Sequence, residues 1–157
     1  MYNNLSKTLS KDKIDKIYNE MSKEIFTKEV LEKTKPIRGA IREIKKLAKD
    51  YEIYIITARP KEMFLDIESW LKKYKIDKYI KKVISSSEKE KQDICIKNNI
   101  FLLCDDDLRH VINNKIQIRI LFKNDIKTKD KEIFSLNSWR KIRKCIYHND
   151  IYRKEGS

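Results

Sequence analysis

Four short runs rich in β-branched, aromatic and leucine residues alternate with amphipathic helical stripes, and this alternation constrains the fold of the chain most. The runs cover residues 51–56, 79–84, 100–104 and 116–122. Stripes of apolar residues at steps of three and four separate them, as in helices. Strands alternating with helices predict crossover connections and therefore an α/β fold with a mainly parallel sheet. The first run is nearly uncharged and is predicted to be buried on both faces.

Further helices are predicted on both sides of these runs. Residues 11–33 place apolar side chains at helical spacing, which indicates one or two short helices, and another stripe follows the break at Pro36. Asn137 or Ser138 stands where it would cap a last helix. The chain is thus expected to begin and end with helical segments around the α/β region.

The length and polarity of the chain predict one soluble domain. A chain of 157 residues is close to the roughly 150 typical of a single domain. We expect a helical segment over residues 1–35, an α/β core over 36–150 and a polar tail over 151–157. The chain lacks a signal-peptide pattern and any run of about 18 apolar residues, and its three cysteines show no metal-ligand spacing. These features predict a cytoplasmic protein with free thiols and no membrane association.

Composition excludes some classes of binding site and leaves another open. The chain has only two glycines, Gly39 and Gly156, which excludes glycine-rich phosphate loops such as GxGxxG. Its net charge of +13 would favour polyanionic partners such as nucleic acid. An A/T-rich coding sequence explains the same excess, since the chain has 29 Lys, 25 Ile and 10 Asn. Outside residues 139–144 the basic side chains are spread, so nucleic-acid binding is an alternative that we do not favour.

Polar residues suited to phosphate follow the first strand. In open parallel sheets, ligands bind beyond the carboxyl ends of the strands. Thr57 offers a hydroxyl, the turn through Ala58 offers backbone N–H groups, and Arg59 adds a cation. The alternative is that Thr57 and Arg59 only cap the helix that begins near Pro60.

Three consecutive carboxylates, Asp105, Asp106 and Asp107, follow the third strand. Adjacent carboxylates repel one another unless a cation or hydrogen-bond donors compensate, so a Mg²⁺ site is one interpretation. The other is an acidic helix N-terminus, where aspartate meets the positive end of the helix dipole. Lys91, at the start of the preceding helix, could reach the same edge as a point charge for phosphate.

Taken together and in this order, these segments resemble motifs II, III and IV of the haloacid dehalogenase-like (HAD) phosphohydrolases. The nearest branch is the 5'-nucleotidase/deoxyribonucleotidase type, and the matching stretches are residues 55–60, 91–95 and 102–107. The resemblance covers residues 34–139. It implies a Rossmannoid three-layer sandwich, in which the segment 1–35 looks like the remnant of a small cap.

The resemblance also implies roles for the residues at the strand ends. It implies a phosphorylated small molecule or nucleotide as the ligand and Mg²⁺ as the cofactor. The phosphate-binding residues would be Thr57, Ala58, Arg59 and Lys91, and the Mg²⁺ ligands would be Asp106 and Asp105.

The first motif of this family, a strand ending in Asp-x-Asp-x-Thr, is missing from the sequence. Residues 1–10 contain no carboxylate, and Asp12 and Asp15 have the wrong spacing and lie in a helical pattern. Without the attacking carboxylate, a phosphate site binds its ligand but forms no aspartyl-phosphate. The resemblance therefore implies an impaired or inactive relative, with no catalytic residue assigned. The alternative is an active Mg²⁺-dependent phosphohydrolase whose nucleophile comes from an upstream or partner segment.

The resemblance places the missing strand in the middle of the sheet, between the strands that end at Thr57 and Asp105. Strands lie about 4.8 Å apart, so its absence would leave a gap of roughly 10 Å and two unpaired inner edges. Three solutions are open: the two strands pair directly, a partner chain donates a strand, or the sequence is the downstream piece of a longer or split enzyme.

Overall fold

The computed structural model of the chain describes residues 11–112, 115–122 and 132–155. The first ten residues of the predicted cap-like segment and the last two of the predicted tail lie outside this range. The described helices are α1 (Lys11–Ile25), α2 (Lys28–Lys33), α3 (Ala40–Leu47), α4 (Phe64–Lys73), α5 (Lys91–Lys97), α6 (Leu108–Val111) and α7 (Trp139–Glu155). The described strands are β1 (Tyr54–Thr57), β2 (Lys82–Ser85), β3 (Leu102–Asp105), β4 (Ile118–Phe122) and β5 (Ile133–Leu136).

The strands form two small parallel sheets, which confirms the α/β class. β1 pairs with β2, and β3, β4 and β5 pair in that order. The strands that end at Thr57 and Asp105 do not pair with each other in the described part of the chain. Direct pairing, the first of the three solutions to the missing strand, is therefore not what the structure shows.

The secondary structure differs from the prediction most clearly at the second strand, at a fifth strand and at the last helix. The second strand runs from Lys82 to Ser85, because Asp77–Tyr79 forms a 3₁₀ turn at the start of the predicted run. The fifth strand, Ile133–Leu136, was not predicted, since four residues show too little periodicity and the strand depends on pairing with β4. The last helix continues to Glu155, within the range predicted as a polar tail.

The prediction that the first strand is buried on both faces is wrong. All four residues of β1, Tyr54 to Thr57, are only half-buried. β1 has a neighbouring strand on its β2 side alone among the described residues. A strand without a neighbour on one edge leaves part of each side chain uncovered, and this explains the partial exposure.

Helices pack on both faces of the strands. On one face, Leu103 of β3 joins Cys95 of α5 and Val111 of α6 in a buried cluster. On the other face, Ile120 of β4 joins Ile142 of α7, and α3 contributes to the same cluster. A third cluster covers β1 and β2 with side chains of α2 and α4. The helices therefore cover the faces of the strands, and the predicted site residues lie at the carboxyl ends of the strands.

The cysteines are free, as predicted. Cys95 is buried, and Cys104 and Cys145 are half-buried. Burial raises the pKa of Cys95 to about 11 and that of Cys104 to about 12, so both thiols are protonated at neutral pH. Within the described ranges, no helix has the length and apolar character needed to cross a membrane.

Candidate functional site

An ion pair between Lys91 and Asp105 forms the centre of the candidate site. Lys91 is the first residue of α5 and Asp105 the last of β3, and Lys91 Nζ lies 2.5 Å from Asp105 Oδ2. The side chains are only 13% and 6% exposed, respectively. Since both groups are mostly removed from water, each depends on the other for compensation of its charge.

A backbone N–H donor and the imidazole of His110 also lie beside the Asp105 carboxylate. His110 Nδ1 lies 3.2 Å from Oδ2, and the Asp107 backbone N–H donates to Oδ1 at 2.9 Å. Burial acts to raise the pKa of Asp105, but hydrogen bonds from His110, Lys91 and the Asp107 N–H outweigh it and hold the pKa well below its usual value. Asp105 is therefore ionised, with protein donors on both of its oxygens.

A second group of polar residues lies at the end of β1. The Arg59 backbone N–H donates to Thr57 Oγ1 at 3.2 Å, and Ser85 Oγ donates to the Arg59 carbonyl at 2.8 Å. Ser87 is 2.9 Å from Ser85 through their hydroxyls. These bonds hold the turn after β1 against the end of β2, while Ala58 is exposed.

The Arg59 guanidinium is the cation of this second group. It lies over the ring of Phe26 at 5.4 Å, and burial lowers its pKa from the ordinary value. Its Nε is buried and has no hydrogen-bond partner among the described residues. No carboxylate of the described residues forms an ion pair with the Arg59 guanidinium. A buried donor without a partner is costly, so this position favours an anionic ligand.

The structure thus brings the predicted residues together in two groups. Thr57 and Arg59 lie at the end of β1, and Lys91 and Asp105 lie at the end of β3. Within the described chain, no hydrogen bond or ion pair links one group to the other. The sequence predicted one continuous site, whereas the arrangement has two groups at the carboxyl ends of two separate sheets.

The carboxylates do not fit a Mg²⁺ site in this arrangement. Both oxygens of Asp105 already accept from protein donors, and Asp107 pairs with Arg109 Nε at 3.0 Å. Asp106 is exposed and is the remaining candidate ligand. The described residues contain no group of three or more His, Cys, Asp or Glu side chains that could hold a metal ion. Mg²⁺ binding stays a prediction of the resemblance.

Asp107 supports the other interpretation of the acidic run. Its side chain caps α6 by accepting from the Arg109 backbone N–H at 3.0 Å. Aspartate is among the preferred residues at this position, because its oxygen satisfies a free N–H of the first turn. Of the three carboxylates, Asp107 therefore caps a helix, while Asp105 forms the buried ion pair.

The sequence pattern did not indicate that His110, Ser85 and Ser87 belong to these groups. His110 lies in the short helix α6 that Asp107 caps, and this tight turn returns its ring to Asp105. The sequence feature that could have indicated His110 is its position five residues after Asp105, the carboxylate at the end of a strand. The serines follow a strand end, as Thr57 does, and that position alone could have indicated them.

Residues 139–144, the basic cluster seen in the sequence, are divided between the surface and the core, since Arg140, Lys141 and Lys144 are exposed. Trp139 packs in the core with Phe122, and Ile142 is buried. Arg143 is bound to the buried Glu43. A helix that faces the core explains the pattern better than a nucleic-acid interface does.

A different basic surface lies around the start of α3. An open pocket of about 720 Å³ has nine lining residues and no carboxylate among them. Its cations are Lys35, Arg38, Arg42 and Lys45, and its other members include Ile37 and Tyr74. We call this surface the α3 pocket.

Comparison with known proteins found no match to this chain among protein-family models, curated proteins or solved structures. Function is therefore inferred from the side-chain geometry described above. The resemblance of the strand-end motifs to the HAD-like phosphohydrolases stays a prediction.

Proposed function

We propose that this protein is a catalytically impaired or inactive relative of the HAD-like phosphohydrolases that binds a phosphorylated small molecule. The binding site would lie at the carboxyl ends of β1 and β3. The observation that carries the proposal is the Arg59 guanidinium, whose buried Nε has no partner among the described residues. The Thr57 hydroxyl accompanies it at the same strand end. Arginine presents several N–H donors in a plane and suits phosphate oxygens.

The state of Asp105 supports the non-catalytic part of the proposal. A nucleophilic carboxylate needs a free oxygen aimed at phosphorus. Asp105 is fully engaged with Lys91, His110 and a backbone N–H, and Asp106 is exposed at the surface. Neither carboxylate is arranged as an attacking group.

We expect phosphate binding that depends on Arg59. Isothermal titration calorimetry with inorganic phosphate and with a nucleoside monophosphate measures the affinity. Arg59→Gln removes the charged donor and should weaken binding roughly 10- to 100-fold. Lys61→Gln removes the same charge two residues away, at an exposed position, and should leave the affinity unchanged.

Turnover separates the proposal from its enzymatic alternative. With p-nitrophenyl phosphate and Mg²⁺, we expect no hydrolysis above the rate in buffer. Hydrolysis that disappears in Asp106→Ala would instead favour an active phosphohydrolase. Equal phosphate affinity of the wild type and Arg59→Gln would contradict the proposed binding site.

A second candidate function, nucleic-acid binding, is favoured by the α3 pocket alone. Among its cations, Lys35 and Arg38 have no carboxylate within ion-pair distance in the described chain. Lys45 lies over the ring of Tyr79 at 5.6 Å, and only Arg42 is paired, with Glu43. Unpaired cations beside an exposed Ile37 and the ring of Tyr74 could contact phosphates and bases.

We expect any such binding to be weak and strongly dependent on salt. Fluorescence anisotropy with a labelled single-stranded oligonucleotide should show affinity that falls roughly 20- to 50-fold between roughly 50 and 200 mM salt, as expected for three or four phosphate contacts. The double variant Lys35→Glu/Arg38→Glu should abolish it. The control Lys61→Glu/Lys97→Glu changes the net charge equally at exposed sites outside the pocket. Equal losses in both double variants would show nonspecific attraction and remove this candidate.

A further inference from the structure

The α3 pocket is separate from both groups of strand-end residues. Its lining comes from residues 35–39, from three residues of α3 and from Tyr74, the residue directly after α4. No member of the two strand-end groups is among these lining residues. The pocket volume of about 720 Å³ lies in the range of roughly 300–1,000 Å³ that is typical of small-molecule sites. A ligand of this pocket would therefore occupy a second site of small-molecule size.

Side chains at the end of α4 hold the backbone that leads into the pocket. The indole N–H of Trp70 and the hydroxyl of Tyr74 donate to the Thr34 carbonyl at 2.8 and 3.4 Å. Lys73 Nζ donates to the Glu32 carbonyl at 3.1 Å. These bonds position one wall of the pocket before any ligand arrives. A preformed wall reduces the conformational entropy that is lost when a ligand binds.

The charge of the pocket favours an anion. Its lining residues include four cations and no carboxylate. Lys35 and Arg38 are exposed, and neither forms an ion pair with a described residue. Arg42 lies 2.8 Å from Glu43, but Arg143 binds the same carboxylate at 2.5 Å. Because two arginines share one carboxylate, the pocket keeps an excess of positive charge, which attracts anions.

The rest of the lining is mostly apolar. It includes Pro36, Ile37, Ile41 and the ring of Tyr74. Ile37 is 54% exposed, although it is a large aliphatic side chain. A ligand that covers Ile37 removes apolar surface from water, and this favours binding. The pocket therefore suits a ligand that is anionic at one end and apolar elsewhere.

The surroundings of Tyr74 favour an aliphatic ligand over a stacked nucleobase. Lys73 Nζ lies over the ring of Tyr74, 5.5 Å from its centre. The ring of Trp70 lies 4.7 Å away and is tilted by 55°. These neighbours restrict the free ring face on which a base would stack. One small molecule with an aliphatic body therefore fits the pocket better than a nucleic-acid strand does.

We propose that the α3 pocket binds a small amphipathic anion, in which a carboxylate or phosphate group is joined to an aliphatic chain. The anionic group contacts Lys35 and Arg38, since a guanidinium forms paired hydrogen bonds with either kind of anion. The chain covers Ile37 and contacts the ring of Tyr74. This inference goes beyond the proposed phosphate binding at Arg59 and does not depend on it, because the two sites share no residue.

Amide NMR spectra of the full chain, titrated with octyl phosphate and with octanoate below their micellar concentrations, test the site. The amide signals of Ile37, Gly39 and Tyr74 should shift and saturate with at least one of these ligands. Octanol lacks the charge and inorganic phosphate lacks the chain, so each should bind the pocket at least about 10-fold more weakly. No saturable shift with either amphipathic anion, or equal affinity for octanol or phosphate at these amides, would overturn the proposal.

A pair of double variants tests the anionic end. Lys35→Gln/Arg38→Gln removes two charges from the pocket and should weaken binding of octyl phosphate roughly 10- to 100-fold. Lys61→Gln/Lys97→Gln removes the same charge at exposed positions outside the pocket and should leave the affinity unchanged. Equal losses in both double variants would show attraction to the net charge alone and contradict the proposed site.

A pair of single variants tests the apolar end. Ile37→Ser should weaken binding of octyl phosphate roughly 5- to 10-fold, because less apolar surface is covered. Ile96→Ser is the matched control, since Ile96 is 53% exposed and lies outside the pocket, and it should leave the affinity unchanged. An unchanged affinity of Ile37→Ser would mean that the chain does not lie where we place it.

The positions of the shifted amides distinguish this site from the other candidates. Shifts confined to residues 57–59 would overturn the α3 pocket proposal and leave phosphate binding at Arg59 in place. Shifts at the pocket amides that persist in Arg59→Gln would support the pocket even if phosphate does not bind at Arg59. A single-stranded oligonucleotide that shifts the pocket amides when octyl phosphate does not would assign the pocket to nucleic acid. Binding only to vesicles of phosphatidylglycerol and phosphatidylcholine would assign it to a membrane surface, and either of these last two results would overturn the proposal.

Discussion

Replacing Asp105 by alanine is expected to destabilise the protein by about 3–5 kcal/mol at neutral pH. The substitution leaves Lys91 only 13% exposed and without its counter-charge. Removal of one member of a buried pair is costly, because the remaining charge keeps its desolvation penalty. Urea denaturation followed by circular dichroism measures the change in the free energy of unfolding.

Asp106→Ala is the matched control for this prediction. Asp106 is the adjacent carboxylate and is exposed, so its loss should change the free energy of unfolding by less than about 0.5 kcal/mol. The double variant Asp105→Leu/Lys91→Met should recover much of the loss, since an apolar pair of similar volume carries no desolvation penalty. If Asp105→Ala is as mild as Asp106→Ala in metal-free buffer, the carboxylate is not held by the ion pair that the structure shows.

Replacing Arg143 by methionine is expected to destabilise the protein by about 3 kcal/mol at neutral pH. Arg143 on α7 binds Glu43 on α3, with its Nε 2.5 Å from Glu43 Oε2. Glu43 is 1% exposed, so losing this partner leaves a buried carboxylate whose remaining cations are Arg42 at 2.8 Å and Lys46 at 4.0 Å. Arg140→Met, at an exposed position of the same helix, should change the stability little.

The loss of stability in Arg143→Met should depend on pH. The hydrogen bond from Arg143 lowers the pKa of Glu43 below its ordinary value of 4.5, although burial acts against it. A lowered folded-state pKa stabilises the protein above the unfolded value, and this contribution is lost as the pH falls through the folded-state value. The difference between wild type and Arg143→Met should therefore be full near pH 7 and shrink below about pH 4.5. A difference that stays constant down to pH 3 would show that packing, and not the ion pair, causes the loss.

The local sequence pattern was sufficient to predict most helices and strands, but not β5. β1, β3 and β4 were predicted within a few residues, because each is a short apolar run bounded by polar residues. β5 was missed because its four residues carry too little periodicity to distinguish a strand from a loop. It exists because β4 offers it a paired edge, which is a property of the assembled sheet.

Of the candidate site, the sequence indicated most residues but not their partners. Lys91 and Asp105 were expected at one edge because each lies at the end or start of an element, and the structure places their charged atoms 2.5 Å apart. The sequence did not indicate that His110 would join them, or that their pairing would occupy the carboxylate assigned to Mg²⁺. Those outcomes depend on how tightly α5 and α6 pack against β3.

The sequence by itself determined the α/β class, the parallel direction of the strands, the positions of Thr57, Arg59 and Asp105 near strand ends and that of Lys91 at the start of a helix. It could do so because the periodicity of apolar residues and the polar stop after each strand are local properties of the chain. The tertiary structure alone decided that β1 and β3 do not pair, that β1 is half-buried, and that the strand-end residues form two groups. These are relations between segments distant in the chain, set by which edges and faces come into contact when the core is assembled.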